Sequence, residues 1–519
     1  MTESSQRALW GSKLGFLMAA IGSAIGLGNI WRFSYMAFEH GGGAFLVPYL
    51  CALLLAGIPL MILEYAVGHR EKGSSPLVFA RISPGWEWAG WWMPTVAMFG
   101  IMLYYAVIIG WCINYFFFSF TVAWGSDPQS FFFHSFLQMS DSPLHLGGVR
   151  IPILSATFLV WFLCWIICYR EVNHGIEKAC TFFMPILFLL TFLLVGWTLT
   201  LDGALDGIRN FYLAADWDKI NIIKKFNDPE VWSVWTAAFG QIFFTLSLGF
   251  GIMITYASYL PKKTDIVGNA VLTAVINCTY SFIAGFAVFG IVGFMAQVKG
   301  VPFSEVIKGG PQLAFVVYPE AIRQLPFGQS LFGVIFFLVL IVAGLSSGIS
   351  LIEALTCAIT DKFAWTRKVV VSVICLLGFF GSIVFTTRAG LLLLDITDHF
   401  ITSYGLIMGG VFECFLVGWL LKARVAREHV SRVGGWRLPL LWDICIRYFT
   451  PLILIVIMAQ AFIGELRKAY GAYPADALIL FGVDWLLVTI VVAVCFTFYP
   501  WKPEKLKRKH RVQEDKLLI

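Results

Sequence analysis

Gly22-Ser23-Ala24-Ile25-Gly26-Leu27-Gly28-Asn29 sets three glycines and two polar side chains inside an otherwise apolar stretch. Each glycine costs a helix interior about 1 kcal/mol relative to alanine. Two readings of the octet are open on its own terms. It is a close-packing face built on Gly22-x3-Gly26, or it is a helix that breaks. Its surroundings decide between them. The 18 residues between Lys13 and Arg32 contain no Asp, Glu, Lys or Arg, so the octet lies within a charge-free segment of nearly membrane-spanning length.

The whole chain has that character. Hydrophobic residues make up 59% of 519, charged residues only 13%, and the mean hydropathy is +0.80. A soluble chain carries about a quarter charged residues. A soluble enzyme, a nucleic-acid-binding protein and a disordered scaffold are thereby excluded. A membrane helix needs about 20 apolar residues. Further charge-free gaps run from Glu39 to Glu64, Glu87 to Asp127, Arg150 to Arg170 and Lys178 to Asp202. Others run from Glu230 to Lys262, Asp265 to Lys299 and Arg323 to Glu353, with four more near 367–387, 396–421, 441–463 and 478–501. The prediction is an all-α membrane protein of twelve transmembrane helices. The stretches are continuously apolar and lack the alternation of a membrane barrel.

The basic residues orient this count. With a cytoplasmic amino terminus, the inside segments 1–13, 69–92, 170–178, 261–265, 361–368, 422–440 and 502–519 hold 24 of the 37 Lys and Arg residues. The outside loops hold 11, as the positive-inside rule requires. The net charge of +6 is therefore topology, and the basic run Lys502–Arg511 is an anchor at an anionic leaflet. Both termini are expected in the cytoplasm, with no removable signal peptide. The eleven cysteines sit almost wholly inside helices and read as small packing residues. Asn277-Cys278-Thr279 is a mid-helix sequon, out of reach of glycosylation.

The sixth helix repeats the anomaly of the first, in Phe244-Thr245-Leu246-Ser247-Leu248-Gly249-Phe250-Gly251. Helices 1 and 6 are the first members of two five-helix halves. Interruptions at corresponding positions of two halves point to the binding site of a secondary transporter. Unwinding frees carbonyls for a small cation and N–H groups for an anionic substrate group. Asn29, Thr245 and Asn277 add side-chain oxygens, and Ala343-Gly344-Leu345-Ser346-Ser347-Gly348 adds two hydroxyls from helix 8. A serine hydroxyl bonding back to its own helix explains any one of these segments. Four together favour a site, and oxygen-only ligation suits a hard cation such as sodium.

These residues, together with Gly41-Gly42-Gly43-Ala44-Phe45-Leu46-Val47-Pro48-Tyr49, Gly57-Ile58-Pro59-Leu60 with Glu64, and Asp395-Ile396-Thr397-Asp398-His399-Phe400, resemble the neurotransmitter:sodium symporter family. The resemblance spans roughly residues 7–425 and implies the LeuT-like fold, a 5+5 inverted repeat with helices 1 and 6 broken. Residues 1–200 would form the first repeat and 201–425 the second, with 426–519 holding helices 11 and 12 and the basic tail.

The resemblance also implies ligands. A first sodium ion would use the Ala24 carbonyl, Asn29, Thr245, Asn277 and the substrate carboxylate. A second would use the Gly22, Ile25 and Ala343 carbonyls with Ser346 and Ser347. Substrate would lie among Ala24, Gly26, Leu27, Gly28, Ile101, Tyr105, Phe244, Thr245, Ser247, Phe250, Ser347 and Leu351. Tyr105 would bond the carboxylate and close over it with Phe244. Arg32 and Asp398 would pair as an outer gate. Arg7 and Asp361, supported by Trp10, Tyr256, Ser258 and Tyr259, would form an inner one. Chloride would bind among Tyr49, Gln241, Thr245, Asn277 and Ser281. Ser281 is neutral where chloride-independent bacterial members usually carry an acid, so chloride would balance the sodium charge and stimulate transport.

Gly26 stands where the monoamine branch has an Asp, and Ser247 where the GABA and taurine branch tends to have Gly. Ser23 departs from the Asn common among bacterial members. Ile101, Phe250 and Leu351 offer apolar walls. These residues favour a neutral α-amino acid over the alternative, a GABA, taurine or betaine type substrate. The short loop 124–150 lacks the cysteine pair of animal members, so the expected location is a prokaryotic plasma membrane. A channel would need a repeated pore-lining ring, which is absent from the sequence. An enzyme would need a paired acid–base or metal constellation. The eight histidines are scattered at expected helix ends and loops, and Glu64 and Glu413 show no such pairing in sequence, so they read as caps for freed N–H groups or members of polar networks. Import of amino acid with two sodium ions and chloride is the expectation, with the bilayer, and no nucleic acid, as partner.

Overall fold

The computed structural model describes residues 9–223, 228–363 and 365–506. Among them nearly all regular structure is helical, and the extended pairing is confined to two isolated bridges, Gly42 with Ala215 and Val149 with Thr387. Ten helices among the described residues are long and apolar enough to span a bilayer. They are α2 (Gly43–Glu71), α3 (Pro84–Ser119), α4 (Ile151–Cys168), α5 (Ile176–Thr198) and α7 (Ile266–Lys299). The others are α8 (Gln329–Phe363), α9 (Arg367–Thr386), α10 (Gly390–Leu420), α11 (Leu440–Ala472) and α12 (Ala475–Thr497). One bent pair makes an eleventh span, and a second interrupted pair stands where the sixth of the expected twelve falls. The first is α1a (Lys13–Ala24) with α1b (Leu27–Glu39), bent by 68°. The sixth is α6a (Pro229–Thr245) with α6b (Ile252–Ser258).

The breaks fall where the glycines stand. Ile25 and Gly26 are extended, with φ/ψ of −76°/108° and −128°/−170°, and α1b begins directly after them. Between α6a and α6b, Ser247 and Gly249 both take positive φ, 54° and 78°. A Cβ on Gly249 would stand 2.8 Å from Phe243 Cζ and 2.9 Å from the Leu406 carbonyl oxygen, so glycine is required there. The first span also runs further than the charge-free gap indicates. It continues through Arg32 to Glu39, and α1b turns Arg32 into a cavity at the break.

Around the breaks the long helices form a cradle. α8 packs on α3, α1a on α5, α7 and α8, and α6b on α2. The most apolar window of α3 is 89% buried and that of α8 78%, against 11% for α11 and 22% for α12. The centre is thus held by protein, and the outer ring faces lipid. Of the eleven cysteines, none is in a disulfide; nine are buried, Cys51 is half-buried and Cys495 exposed. The histidines are less dispersed than the sequence suggests. His69 Nδ1 and His429 Nε2 lie 2.9 Å apart, tying the carboxyl end of α2 to the helix Ala423–Gly434.

Candidate functional site

A cavity of about 410 Å³ lies against both breaks. Ala24, Gly26, Leu27, Gly28, Ile101, Tyr105, Phe244, Thr245, Ser247, Phe250, Ser347 and Leu351 all line it, so the twelve substrate residues expected from sequence come together. Gly26 keeps its floor open, since a Cβ there would be 3.1 Å from the Tyr105 hydroxyl oxygen. That hydroxyl also accepts from Leu27 N at 3.4 Å. The amino end of α1b therefore faces the cavity, where a half-helix's positive end favours a carboxylate.

One wall is a knot of carboxamides and hydroxyls from three helices. Asn29 Nδ2 lies 2.9 Å from Thr245 Oγ1, 2.9 Å from Asn277 Oδ1 and 2.8 Å from Ser281 Oγ. Asn277 Nδ2 donates to Thr245 Oγ1 at 3.2 Å, and Asn29 Oδ1 accepts from Gly26 N at 2.8 Å. All four side chains are buried. An amide nitrogen with two protons stands among three oxygens, a position of concentrated negative potential. With amide rotation these oxygens suit a hard cation. No carboxylate takes part in these bonds.

The second group lies across the break from α8. Ser247 Oγ and Ser347 Oγ both donate to the Ser23 carbonyl, at 3.1 Å and 3.3 Å. Ser23 Oγ donates to Ser350 Oγ at 2.8 Å. Ser346 Oγ turns back to the Ala343 carbonyl at 3.0 Å, and α8 is continuous through this segment. Ser346 thus makes the self-capping bond that sequence reasoning had weighed as the weaker reading, while Ser347 reaches across to helix 1. Gly22 lies beside Ser346, whose Cβ is 3.4 Å from the position of a Cβ at Gly22. Hydroxyl rotation would turn these oxygens, with the adjacent carbonyls of Gly22, Ile25 and Ala343, toward a cation.

One helical turn before Thr245 on α6a, Gln241 is fully buried and neither amide atom has a hydrogen-bond partner. Tyr49 is buried too and donates to Cys278 Sγ at 3.4 Å, a weak acceptor. An orphaned buried amide costs roughly 1–3 kcal/mol, so Gln241, Tyr49 and Ser281 have the donor chemistry of an anion site.

The cavity extends past Arg32, Asp398, Gly310 and Pro311 to Tyr470. Arg32 and Asp398 face the same space, yet among the described contacts no ion pair joins them. The Arg32 guanidinium lies over the Phe244 ring, 4.4 Å from its centre. Asp398 Oδ1 accepts from the Tyr104 hydroxyl at 2.5 Å. The expected gate pair is therefore present in position and separated in this arrangement, each charge satisfied by an aromatic residue. Tyr470, at the end of α11 and outside the residues expected at the site, stacks on His399 at 3.6 Å and donates to Asp395 at 3.0 Å. Beside it Tyr473 donates to the same carboxylate at 2.9 Å; burial and Asp395 push its phenol titration upward.

The opposite end is packed shut. Trp10 Nε1 donates to the Tyr256 carbonyl at 2.8 Å and Trp10 N to that of Tyr259 at 3.2 Å. Gly11 N and Ser12 Oγ donate to Glu177, at 2.7 Å and 2.8 Å. Tyr259 donates to Glu353, which also holds Arg367 in a two-pronged pair. Ser258 donates to the Thr255 carbonyl. Asp361 is buried and accepts from Ser74 N at 2.9 Å; Arg7, its expected partner, lies outside the described residues. Glu177 and Glu353 were not picked out from sequence, where each is one carboxylate near a helix end. Glu64 has the capping role expected of it, accepting from Gly249 N at 2.9 Å inside the helix 6 break.

Comparison with known proteins adds to this geometry. The profile described as the Sodium:neurotransmitter symporter family matches residues 7–129 and 124–503. An uncharacterized sodium-dependent transporter of Methanocaldococcus jannaschii is 44% identical over 489 residues, covering 94% of this chain and 97% of its own. The human sodium- and chloride-dependent GABA transporter 2 is 30% identical over 526 residues, covering 93% of this chain and 84% of its own. The crystal structure of MhsT in complex with L-phenylalanine superimposes with a TM-score of 0.73 at 33% identity, over 88% of this chain and 100% of that one. The two sequence relatives are named as transporters, and the solved structure shares this chain's fold over nearly all of its length.

Proposed function

The chain belongs to the sodium:neurotransmitter symporter family, and from that membership we propose that it imports a neutral α-amino acid with sodium, assisted by chloride, by alternating access. The observation that carries this reading is the buried cluster of Asn29, Thr245, Asn277 and Ser281 beside the cavity. It offers oxygen ligands and no charged side chain.

In this reading the substrate carboxylate meets the amino end of α1b and the Tyr105 hydroxyl, and completes the coordination of the first sodium ion. Substrate and ion then stabilise each other by direct contact, which couples their transport. The second sodium ion lies between the α1 break and Ser346–Ser347, tying the moving segment to α8. Chloride beside Tyr49, Gln241 and Ser281 offsets the first sodium ion's charge. The membrane potential adds about 2.3 kcal/mol per net charge per 100 mV. Arg32 and Asp398 close the outside, and the Trp10 segment with Asp361 opens the inside. The membrane is a prokaryotic plasma membrane, with both termini cytoplasmic.

Several features support an α-amino acid over a longer or carboxylate-free substrate. The Ser247 side chain occupies the space that a glycine would leave, bonded to Ser23. Gly26 offers no carboxylate for a lone amine. Ile101, Phe250 and Leu351 give the side chain an apolar wall, and the solved relative holds L-phenylalanine. The test is uptake into proteoliposomes of a neutral amino-acid panel, with sodium and chloride replaced in turn. Saturable, sodium-dependent uptake of an α-amino acid is expected. Uptake of GABA, taurine or betaine in its place would overturn the substrate class.

A further inference from the structure

Tyr104 and Tyr105 follow one another on α3, and the helical rotation between neighbours sends them to different places. Tyr105 turns to the break in α1, its hydroxyl oxygen 3.4 Å from Leu27 N. Tyr104 is buried and reaches α10, where its hydroxyl donates to Asp398 Oδ1 at 2.5 Å. The Arg32 guanidinium meanwhile rests on the Phe244 ring. Both charges line one cavity, and each is held by an aromatic neighbour and not by the other.

We propose that Tyr104 is a positioning residue of the outer gate: its hydroxyl holds the Asp398 carboxylate in the outward-open arrangement, and closure exchanges this bond and the Arg32–Phe244 contact for an Arg32–Asp398 pair. The proposal rests on the reading of Arg32 and Asp398 as gate residues. A half-buried carboxylate needs a donor while it waits. A neutral phenol supplies one and leaves the carboxylate's charge available to Arg32. A lysine or arginine at 104 would neutralise Asp398 in every state and leave Arg32 without an acidic partner. Asp398 is further fixed through its own carbonyl, which accepts from Thr402 Oγ1 at 2.7 Å. Other titratable groups lining the cavity have partners of their own: Asp395 has Tyr470 and Tyr473, and His399 has Glu465. Because Tyr105 faces the substrate from the same helical turn, any shift of α3 on substrate binding also moves the hydroxyl that holds Asp398. The adjacent tyrosines thereby connect occupancy to closure.

The test reads gate position directly. Ser403 lines the outer cavity, so Ser403→Cys reports access to a membrane-impermeant thiol reagent, with the protein lacking this substitution as background. In sodium alone the reporter should label rapidly, and added amino acid should protect it. Adding Tyr104→Phe removes the open-state partner of Asp398 and is expected to slow labelling in sodium at least threefold. In an Asp398→Asn background, with no charge for Arg32 to pair with, Tyr104→Phe should change nothing. Labelling at the parental rate, or a slowing that persists in Asp398→Asn, would overturn the role of Tyr104. A reporter that ignores both sodium and amino acid would instead overturn the gate reading beneath it. If Tyr104→Phe is not recovered folded, Asp398→Asn alone decides. The exchange requires that it lose protection by amino acid, and retained protection refutes it.

Discussion

The Asn29 carboxamide nitrogen lies 2.9 Å from Asn277 Oδ1, joining the break in helix 1 to the middle of α7. The same nitrogen meets the hydroxyls of Thr245 and Ser281. Removing a member of so buried a set leaves its partners unsatisfied, at roughly 1–3 kcal/mol. Asn29→Ala and Asn277→Ala should therefore each raise the sodium concentration for half-maximal uptake by about 5- to 150-fold. Sodium titration of uptake in proteoliposomes measures this. Wild-type sodium dependence in both variants would remove the site.

Chloride is testable through Gln241 and Ser281. Ser281→Glu puts a fixed negative charge beside Asn29, a proposed ligand of the first sodium ion, and uptake should become equal in chloride and gluconate media. Gln241→Leu removes an amide whose two polar atoms have no partner here. It should abolish chloride stimulation and leave the folded protein at least as stable. Equal wild-type uptake in the two media would dispose of the anion site altogether.

The helix 6 break makes a prediction about backbone. Gly249→Ala forces a side chain onto a residue at φ 78°, with contacts of 2.8 Å to Phe243 and 2.9 Å to a carbonyl oxygen. Left-handed conformation alone costs a non-glycine residue roughly 1–2 kcal/mol, and the contact with backbone adds to it. Gly240→Ala, in regular α6a with nothing within 4 Å of the new Cβ, should instead stabilise by about 1 kcal/mol. Thermal unfolding in detergent separates the two, and transport should fail only in Gly249→Ala.

The contrast between those glycines marks what sequence could tell. Twelve crossings follow from charge-free lengths, because a bilayer penalises charge wherever it falls. The two breaks follow from glycine and polar residues where neither belongs. That the twelve residues expected at the site would line one cavity was legible because they lie at the breaks or match a family pattern. Tyr104, Glu177, Glu353 and Tyr470 were not. Each is one polar side chain whose role depends on a partner far away in the chain, as with Tyr104 and Asp398 or Glu353 and Tyr259. The separation of Arg32 from Asp398 was likewise invisible, since one sequence encodes every state of the cycle. Ser346 shows the reverse limit: sequence marked its hydroxyl as a ligand, and here that hydroxyl satisfies a carbonyl of its own helix.

Glu353 carries the last prediction. It is fully buried, accepts two bonds from Arg367 at 2.8 Å and 2.6 Å, and one from Tyr259 at 2.8 Å. Through it α8, the start of α9 and the segment after α6b are held as a unit on the closed inner face. Breaking a buried pair by removing one charge costs about 3–5 kcal/mol, because the other charge is left behind. Glu353→Gln keeps the shape and an acceptor for Tyr259, so the low end, about 3 kcal/mol, is expected in thermal or denaturant unfolding. Glu353→Gln with Arg367→Gln should recover part of that loss, since no uncompensated charge remains. With the charge pair to Arg367 broken, the packing around Tyr259 and the Trp10 segment should loosen, and a Gly11→Cys reporter should label faster in Glu353→Gln than in the parent. Unchanged stability together with unchanged labelling would show that this buried pair is not what holds the inner face shut.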